Sequence, residues 1–194
     1  MGLQINLREK FQRFGAAMFV PVLLFSFSGI VVGLTIIFKD KTFVGNLANP
    51  EGLFYRVVST IEEGGWTIFR NMPLFFCLGI PIGLSKIAPE RCILATLICY
   101  LSFNYFIASI LGFYGSYFGV DFTQDVGGTS GLALIAGIKT LDTNIIGAIL
   151  VGLTMTLLHN RFYETKLPDY LGIFQGTSFV HIVGFGCMLI LALL

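Results

Sequence analysis

Charge is scarce in this sequence. Only 12% of its 194 residues are Asp, Glu, Lys or Arg, against about 25% in ordinary soluble domains. A disordered chain needs low hydrophobicity and high net charge. This one is 55% hydrophobic with a net charge of +1, and its mean hydropathy is +0.84. A soluble globule could not keep that much apolar surface from water, and no global field steers the chain to nucleic acid. Histidine is almost missing, with only His159 and His181 present. They flank a loop at opposite ends, so no shared site follows. His159 reads as a solvated residue at an interface, and His181 as a packed or pathway-lining side chain opening an apolar run. No GxxxxGK[ST] loop, GxSxG elbow or HExxH pair occurs, which excludes a nucleotide-driven pump and the hydrolases those motifs serve. Cys77, Cys92, Cys99 and Cys187 form no CxxC pair. They read as small buried hydrophobes, with no disulfide framework, no metal site and no cofactor.

Long apolar runs are what the sequence has instead. Residues Phe14 to Phe38 carry no charge, and about 20 residues cross the hydrocarbon core. The run exceeds a signal-peptide core and lacks a clean cleavage site, so it reads as a retained first helix. Between Asn49 and Glu63, the residues Leu53, Phe54, Val57, Val58 and Ile61 share one helical face. They predict an interfacial amphipathic helix, or the entrance to the next span, ended by Gly64-Gly65. The second span, Gly65 to Leu84, holds Arg70, Asn71, Pro73 and Pro81. Proline removes a backbone donor, so this helix is expected to be kinked or broken. A broken span beside an ionisable group is a transporter pattern; the alternative is that Arg70 snorkels to the interface.

The third span is Ile93 to Leu111. Tyr100, Phe103, Tyr105 and Phe106, then Phe113, Tyr114, Tyr117, Phe118 and Phe122, predict an outer aromatic belt. A glycine-rich stretch, Gly112 to Thr143, follows. Its apolar piece Leu132 to Ile138 is too short to span and is expected to dip into the interface or form a short helix. Asp121 and Asp125 read as solvated loop acids, since the full calcium-loop pattern is missing. Asn144 to Leu158 is the fourth span. Phe179 to Leu194 is a fifth apolar run, and it stops without an exit charge. Placing the N-terminus inside puts seven of the twelve basic residues on the inner face and five on the outer, which favours a cytoplasmic N-terminus. The fold class is therefore an all-α polytopic membrane protein of about five transmembrane helices plus an interfacial amphipathic helix.

Three stretches carry a family resemblance: FGAAMFVPVLLFSFSGIVVGL (Phe14 to Leu34), EEGGWTIFRNMPLFFCLGIPIGLSK (Glu62 to Lys86), and a third region. That region joins GSYFGVDFTQD (Gly115 to Asp125), AGIKTLDTNIIGAILVGL (Ala136 to Leu153) and LHNRFYETKLPDYLGIFQGTSFV (Leu158 to Val180). The sequence resembles the membrane component, EIIC, of the bacterial sugar phosphotransferase system, glucose superfamily. The GIFQGTSF wording is similar to the α-glucoside and maltose type. Ile173 stands where the broader glucose-type pattern has an aromatic, and Thr177-Ser178 replace its basic position. That departure points to the α-glucoside branch, away from glucose or N-acetylglucosamine.

The resemblance covers about the N-terminal half of a family member and implies a scaffold that forms the homodimer interface. The sugar-contacting histidine and the glycine-isoleucine-threonine-glutamate-proline motif of the second half have no match. The phosphorylated-cysteine context of the soluble B domain is likewise unmatched. Residues 1–194 are thus expected to be the N-terminal, truncated part of an EIIC domain, without its transport half and without a catalytic residue. The implied function is uptake of an α-glucoside such as maltose with concomitant phosphorylation. The implied partners are the sugar, the EIIB and EIIA phosphoryl-transfer domains, membrane lipid and a second copy, with no nucleic acid. The implied location is the bacterial inner membrane. Arg70, Asn71, Pro73 and His181 are the candidate substrate-pathway residues. The competing reading is a transport-inactive scaffold that only dimerises. A bilayer enzyme would need clustered intramembrane acids, histidines or metal ligands, and the spans offer only Arg70 and His181.

Overall fold

A computed structural model describes residues 2–194, with side chains described for residues 8, 9 and 11–194. Lys10, counted above among the inner cations, lies outside the described side chains. The elements in order are α1 (Gly2–Lys39), α2 (Lys41–Val44), a 3₁₀ turn (Gly45–Ala48), α3 (Leu53–Arg70) and α4 (Met72–Leu84). Then come α5 (Pro89–Tyr114), β1 (Leu132–Ile135), β2 (Ile138–Leu141), α6 (Asn144–Phe162), a 3₁₀ segment (Asp169–Phe174) and α7 (Thr177–Leu193). The protein is an all-α polytopic membrane chain apart from one small hairpin. Among the described residues, three helices are long and apolar enough to cross a membrane: Phe11–Lys39, Pro89–Tyr114 and Asn144–Phe162. Counting the pair α3 and α4 as one broken span brings the number to four, and α7 is a shorter apolar helix of 17 residues.

The chain divides into two compact units, Met1–Met18 with Pro73–Leu194, and Phe19–Met72. In the larger unit, α5 packs against α6, α7 and β2, and α6 against α7. The reason lies in the side-chain spacing. On α5, Cys92, Ala95, Thr96, Cys99, Tyr100, Phe103, Asn104 and Ile107 are buried, alternating steps of three and one that keep one helical face inward. On α6 the inward stripe is Ala148, Val151, Gly152, Met155, Thr156 and His159; on α7 it is Val180, Gly184 and Met188. Small residues let the backbones close up. A Cβ at Gly184 would stand 2.6 Å from Met155 Sδ and 3.0 Å from Cys99 Sγ, and one at Gly152 would stand 2.7 Å from the Cys77 carbonyl oxygen.

In the smaller unit, α1 and α3 run antiparallel. A Cβ at Gly65 would stand 2.9 Å from Val32 Cγ2. The Phe69 ring lies 5.7 Å from that of Phe25, and Lys39 Nζ reaches Glu62 Oε2 at 2.6 Å.

Several expectations need correction. Gly64-Gly65 does not end the amphipathic helix: α3 continues to Arg70, because Gly65 supplies the close approach to α1 and so earns a helical place despite its poor propensity. The amphipathic stretch within Asn49–Glu63 is the first part of α3, which fits the second of its two readings, the entrance to the next span. Leu132 to Ile138 does not form a helix. It enters an antiparallel hairpin pairing Leu132 with Leu141 and Ile135 with Ile138. Ala136 (φ 49°) and Gly137 (φ 83°) make its two-residue turn, and two positive φ values are what a right-twisted hairpin requires. Leu132 and Ile135 are buried in the core beside α5. Tyr100 and Phe103 also belong to that core rather than to the belt. Tyr105, Phe113, Tyr114 and Tyr117 are exposed, as the belt predicts.

Candidate functional site

The break between α3 and α4 is built by three consecutive kinds of chemistry. Pro73 has no N–H and biases Met72 away from helical backbone. It therefore sits in the first turn of α4, where a missing donor costs nothing. Asn71 terminates α3 with φ −110° and ψ 21°. Its Nδ2 donates to the Thr67 carbonyl at 2.9 Å, and its backbone N–H donates to the same carbonyl at 3.2 Å. Pro81, the other expected kink site, lies inside a continuous α4.

Arg70, the last residue of α3, turns back along its own helix. Its Nη1 donates to Glu63 Oε2 at 2.6 Å, with the two side chains 59% and 66% exposed. Glu63 was not singled out in the sequence. The signal was available, since seven residues are two helical turns and place the pair on one face.

His181 lies elsewhere, half-buried on α7. Its Nδ1 is 3.4 Å from Cys99 Sγ on α5. Its ring is 6.3 Å from that of Phe185, and Phe185 meets Phe106 edge-on at 4.9 Å. The structure thus gathers Arg70, Asn71 and Pro73 at one break and places His181 in the α5–α7 contact. Cys77, Cys92 and Cys99 are buried as expected, whereas Cys187 is half-buried.

His159 overturns its expectation. It is fully buried, its Nε2 is 2.8 Å from the Ile87 carbonyl oxygen, and its ring stacks 4.6 Å from that of Tyr163. Next to it, Asn160 donates from Nδ2 to the Leu84 carbonyl at 3.0 Å and accepts from the Lys86 N–H at 2.8 Å. Arg91 donates to Tyr163 Oη at 2.8 Å. Together these bonds clamp the α4–α5 loop onto the end of α6. The missed signal was periodic: His159 extends the stripe Ala148, Gly152, Met155 at helical spacing.

At the far end of α5 the expected loop acids are exposed. Asp121 Oδ1 accepts from the Thr123 hydroxyl at 2.6 Å and from its N–H at 3.0 Å. Those two bonds hold its carboxyl below the ordinary carboxylate value, because they favour the charged form. A shallow hollow of about 390 Å³ lies here, lined by Phe113, Ser116, Asp121 and Phe122 among others. None of the expected pathway residues reaches it.

Residues 15–194 match the family described as phosphotransferase system, EIIC. The chain is 58% identical, over 93% of its length, to the alpha-glucoside-specific EIICB component of the phosphotransferase system of Fusobacterium mortiferum. It is 56% identical, over 95% of its length, to the maltose-specific EIICB component of Bacillus subtilis (strain 168). Identity to the phosphotransferase IIC component GlvC of Escherichia coli (strain K12) is 57% over 93% of the chain. The match spans 34%, 35% and 50% of those three relatives' own lengths.

Proposed function

The chain belongs to the phosphotransferase system EIIC family of membrane components, and from that premise we propose that it serves α-glucoside uptake with phosphorylation of the incoming sugar, maltose being the representative substrate. The observation that carries this reading is the 58% and 56% identity to relatives named as alpha-glucoside-specific and maltose-specific. The GIFQGTSF segment, Gly172 to Phe179, supports the same branch. Residues 1–194 act in this reading as the N-terminal scaffold part of the domain. Relatives named EIICB support a linked B domain as the phosphoryl donor, itself recharged by an A component. Lipid and a second copy of the chain complete the assembly.

The reading places the protein in the bacterial inner membrane with a cytoplasmic N-terminus. Charge supports that orientation. Gly83 packs against Ala17, Asn160 binds Lys86 and Tyr163 binds Arg91. Arg13, Lys86, Arg91 and Arg161 thereby gather toward one end of their unit, as the positive-inside rule asks of a cytoplasmic face. Arg70, Asn71 and Pro73 border the sugar's path at the helix break, where a polar backbone end is available inside an apolar segment. In the larger unit the pathway candidate is His181 on α7, 3.4 Å from Cys99.

The test is uptake of labelled maltose by cells lacking their own maltose system, supplied with the complete transporter containing residues 1–194. Phosphorylated maltose inside the cells supports the proposal. A membrane-inserted protein that gives neither uptake nor sugar binding would leave the scaffold reading, in which the chain only dimerises.

A further inference from the structure

The face of α3 turned away from α1 carries an uncovered polar stripe. Arg56, Thr60, Glu63, Thr67 and Arg70 follow at steps of four, three, four and three residues, and all five are exposed. That spacing keeps them on one side of the helix. Val58 and Gly65, on the opposite side, are buried.

The contacts with α1 set the depth of this stripe. Glu62 meets Lys39, Gly65 lies against Val31 and Val32, and Phe69 meets Phe25. Lys39 closes the uncharged run that begins at Phe14. Val32 lies about 10 Å below Lys39 at a rise of 1.5 Å per residue, and Phe25 about 20 Å below it. Phe25 is the midpoint of the apolar segment Phe11–Lys39. Glu63 and Arg70 bracket those levels, inside a hydrocarbon core about 30 Å thick.

An exposed ion pair at that depth is incompatible with acyl chains. The 2.6 Å Arg70–Glu63 contact leaves both side chains more than half exposed. A guanidinium carries five N–H donors, more than one carboxylate oxygen can accept. Hydrocarbon offers no partner for the rest, so such groups face water or protein. The Thr67 hydroxyl lies between the two charged residues, and that of Thr60 extends the same chemistry toward the Lys39 end.

We propose that this stripe is the wetted wall of a solute passage, with Arg70, paired to Glu63, at its deepest point and a polyhydroxylated solute as the cargo its hydroxyls and ion pair suit. The cargo rests on the transporter reading above; the wetting does not. The passage runs from the Lys39 end of α3 to mid-membrane depth at the Asn71 break.

The experiment uses the complete transporter in proteoliposomes and a charged, membrane-impermeant methanethiosulfonate, read as a mass shift. Single substitutions Thr67→Cys and Thr60→Cys probe the stripe. Ile61→Cys, off the stripe and 52% exposed, probes the lipid face. Asp125→Cys in the exposed loop gives the open rate, and the wild type gives the background of the native cysteines, four of which lie in residues 1–194. Both stripe positions are expected to react at least tenfold faster than Ile61→Cys, although Thr67 lies deeper. Stripe positions that react no faster than Ile61→Cys, while Asp125→Cys reacts, overturn the proposal and assign the stripe to a protein neighbour or to lipid. Maltose uptake by the same vesicles is scored separately. Its failure with rapid stripe labelling removes the transporter reading and leaves the wetted wall standing.

Discussion

His159 Nε2 lies 2.8 Å from the carbonyl oxygen of Ile87, a residue 72 positions earlier in the chain. That bond joins the end of α6 to the short turn between α4 and α5. With Asn160 taking both Leu84 and Lys86, it fixes the relation of three helices in the larger unit. Replacing His159 by Leu removes one of the two donors to the Ile87 carbonyl, which the Ser85 hydroxyl also reaches at 3.0 Å. The net worth of one such hydrogen bond is about 0.5–1.5 kcal/mol. Thermal unfolding in detergent should show a clear fall in midpoint for His159→Leu and for Asn160→Leu. An unchanged midpoint would mean that the loop is held by something else.

Gly184 and Gly186 make a matched pair on α7. A Cβ at Gly184 would meet Met155 and Cys99, whereas one at Gly186 meets nothing within 4 Å. Gly184→Val should therefore destabilise the protein by about 1–3 kcal/mol through overpacking. Gly186→Val should leave size-exclusion profile and unfolding midpoint near wild type. Equal behaviour of the two variants would contradict the α5–α6–α7 packing.

Lys39 and Glu62 form the partly covered ion pair of the smaller unit, with side chains 24% and 15% exposed. Lys39 also lies over the Tyr55 ring at 5.1 Å. Partial cover lifts the pair toward the upper end of the range for exposed pairs, about 1 kcal/mol. Each charge-removing variant, Lys39→Met or Glu62→Gln, should cost that much, and the double variant should cost less than the sum. Strict additivity in the cycle would show that the two side chains do not interact.

Asp121 gives a pH dependence of known sign. Thr123 holds its folded carboxyl below the ordinary value of 3.8. The unfolded chain therefore binds the proton more readily, and stability from this contact is fully present above 3.8. It declines as pH falls through the lower folded value. Amide exchange at Thr123, corrected for intrinsic rates, should stay protected at pH 6 and lose protection in strong acid. Asp121→Asn should flatten that profile.

Asn71→Ala removes the side chain that caps α3 on the Thr67 carbonyl. In the complete transporter it should lower maltose uptake severalfold without lowering the amount of protein in the membrane. Full uptake by this variant would remove Asn71 from the pathway.

Local composition and spacing determined much of this protein. The uncharged run from Phe14 to Phe38 dictates a spanning helix, because lipid leaves the backbone no other partner than itself. Pro73 dictates a break nearby, since it has no N–H to give. The apolar faces of α5 and α6 follow from residues three and four apart, and the family follows from the wording of three segments. What the sequence left open depended on contacts between distant residues. Gly65 looks like a helix end until Val31 and Val32 fill the space beside it. His159 looks solvated until the Ile87 carbonyl arrives to accept its hydrogen bond. Leu132 to Leu141 becomes a hairpin because Leu132 and Ile135 find a core beside α5, and Tyr100 and Phe103 leave the belt for the same core. Periodicity names the face that a helix will bury. Only the tertiary structure decided what covers each face, and it left the stripe from Arg56 to Arg70 uncovered, because the energy of that choice lies in pairs far apart in the chain.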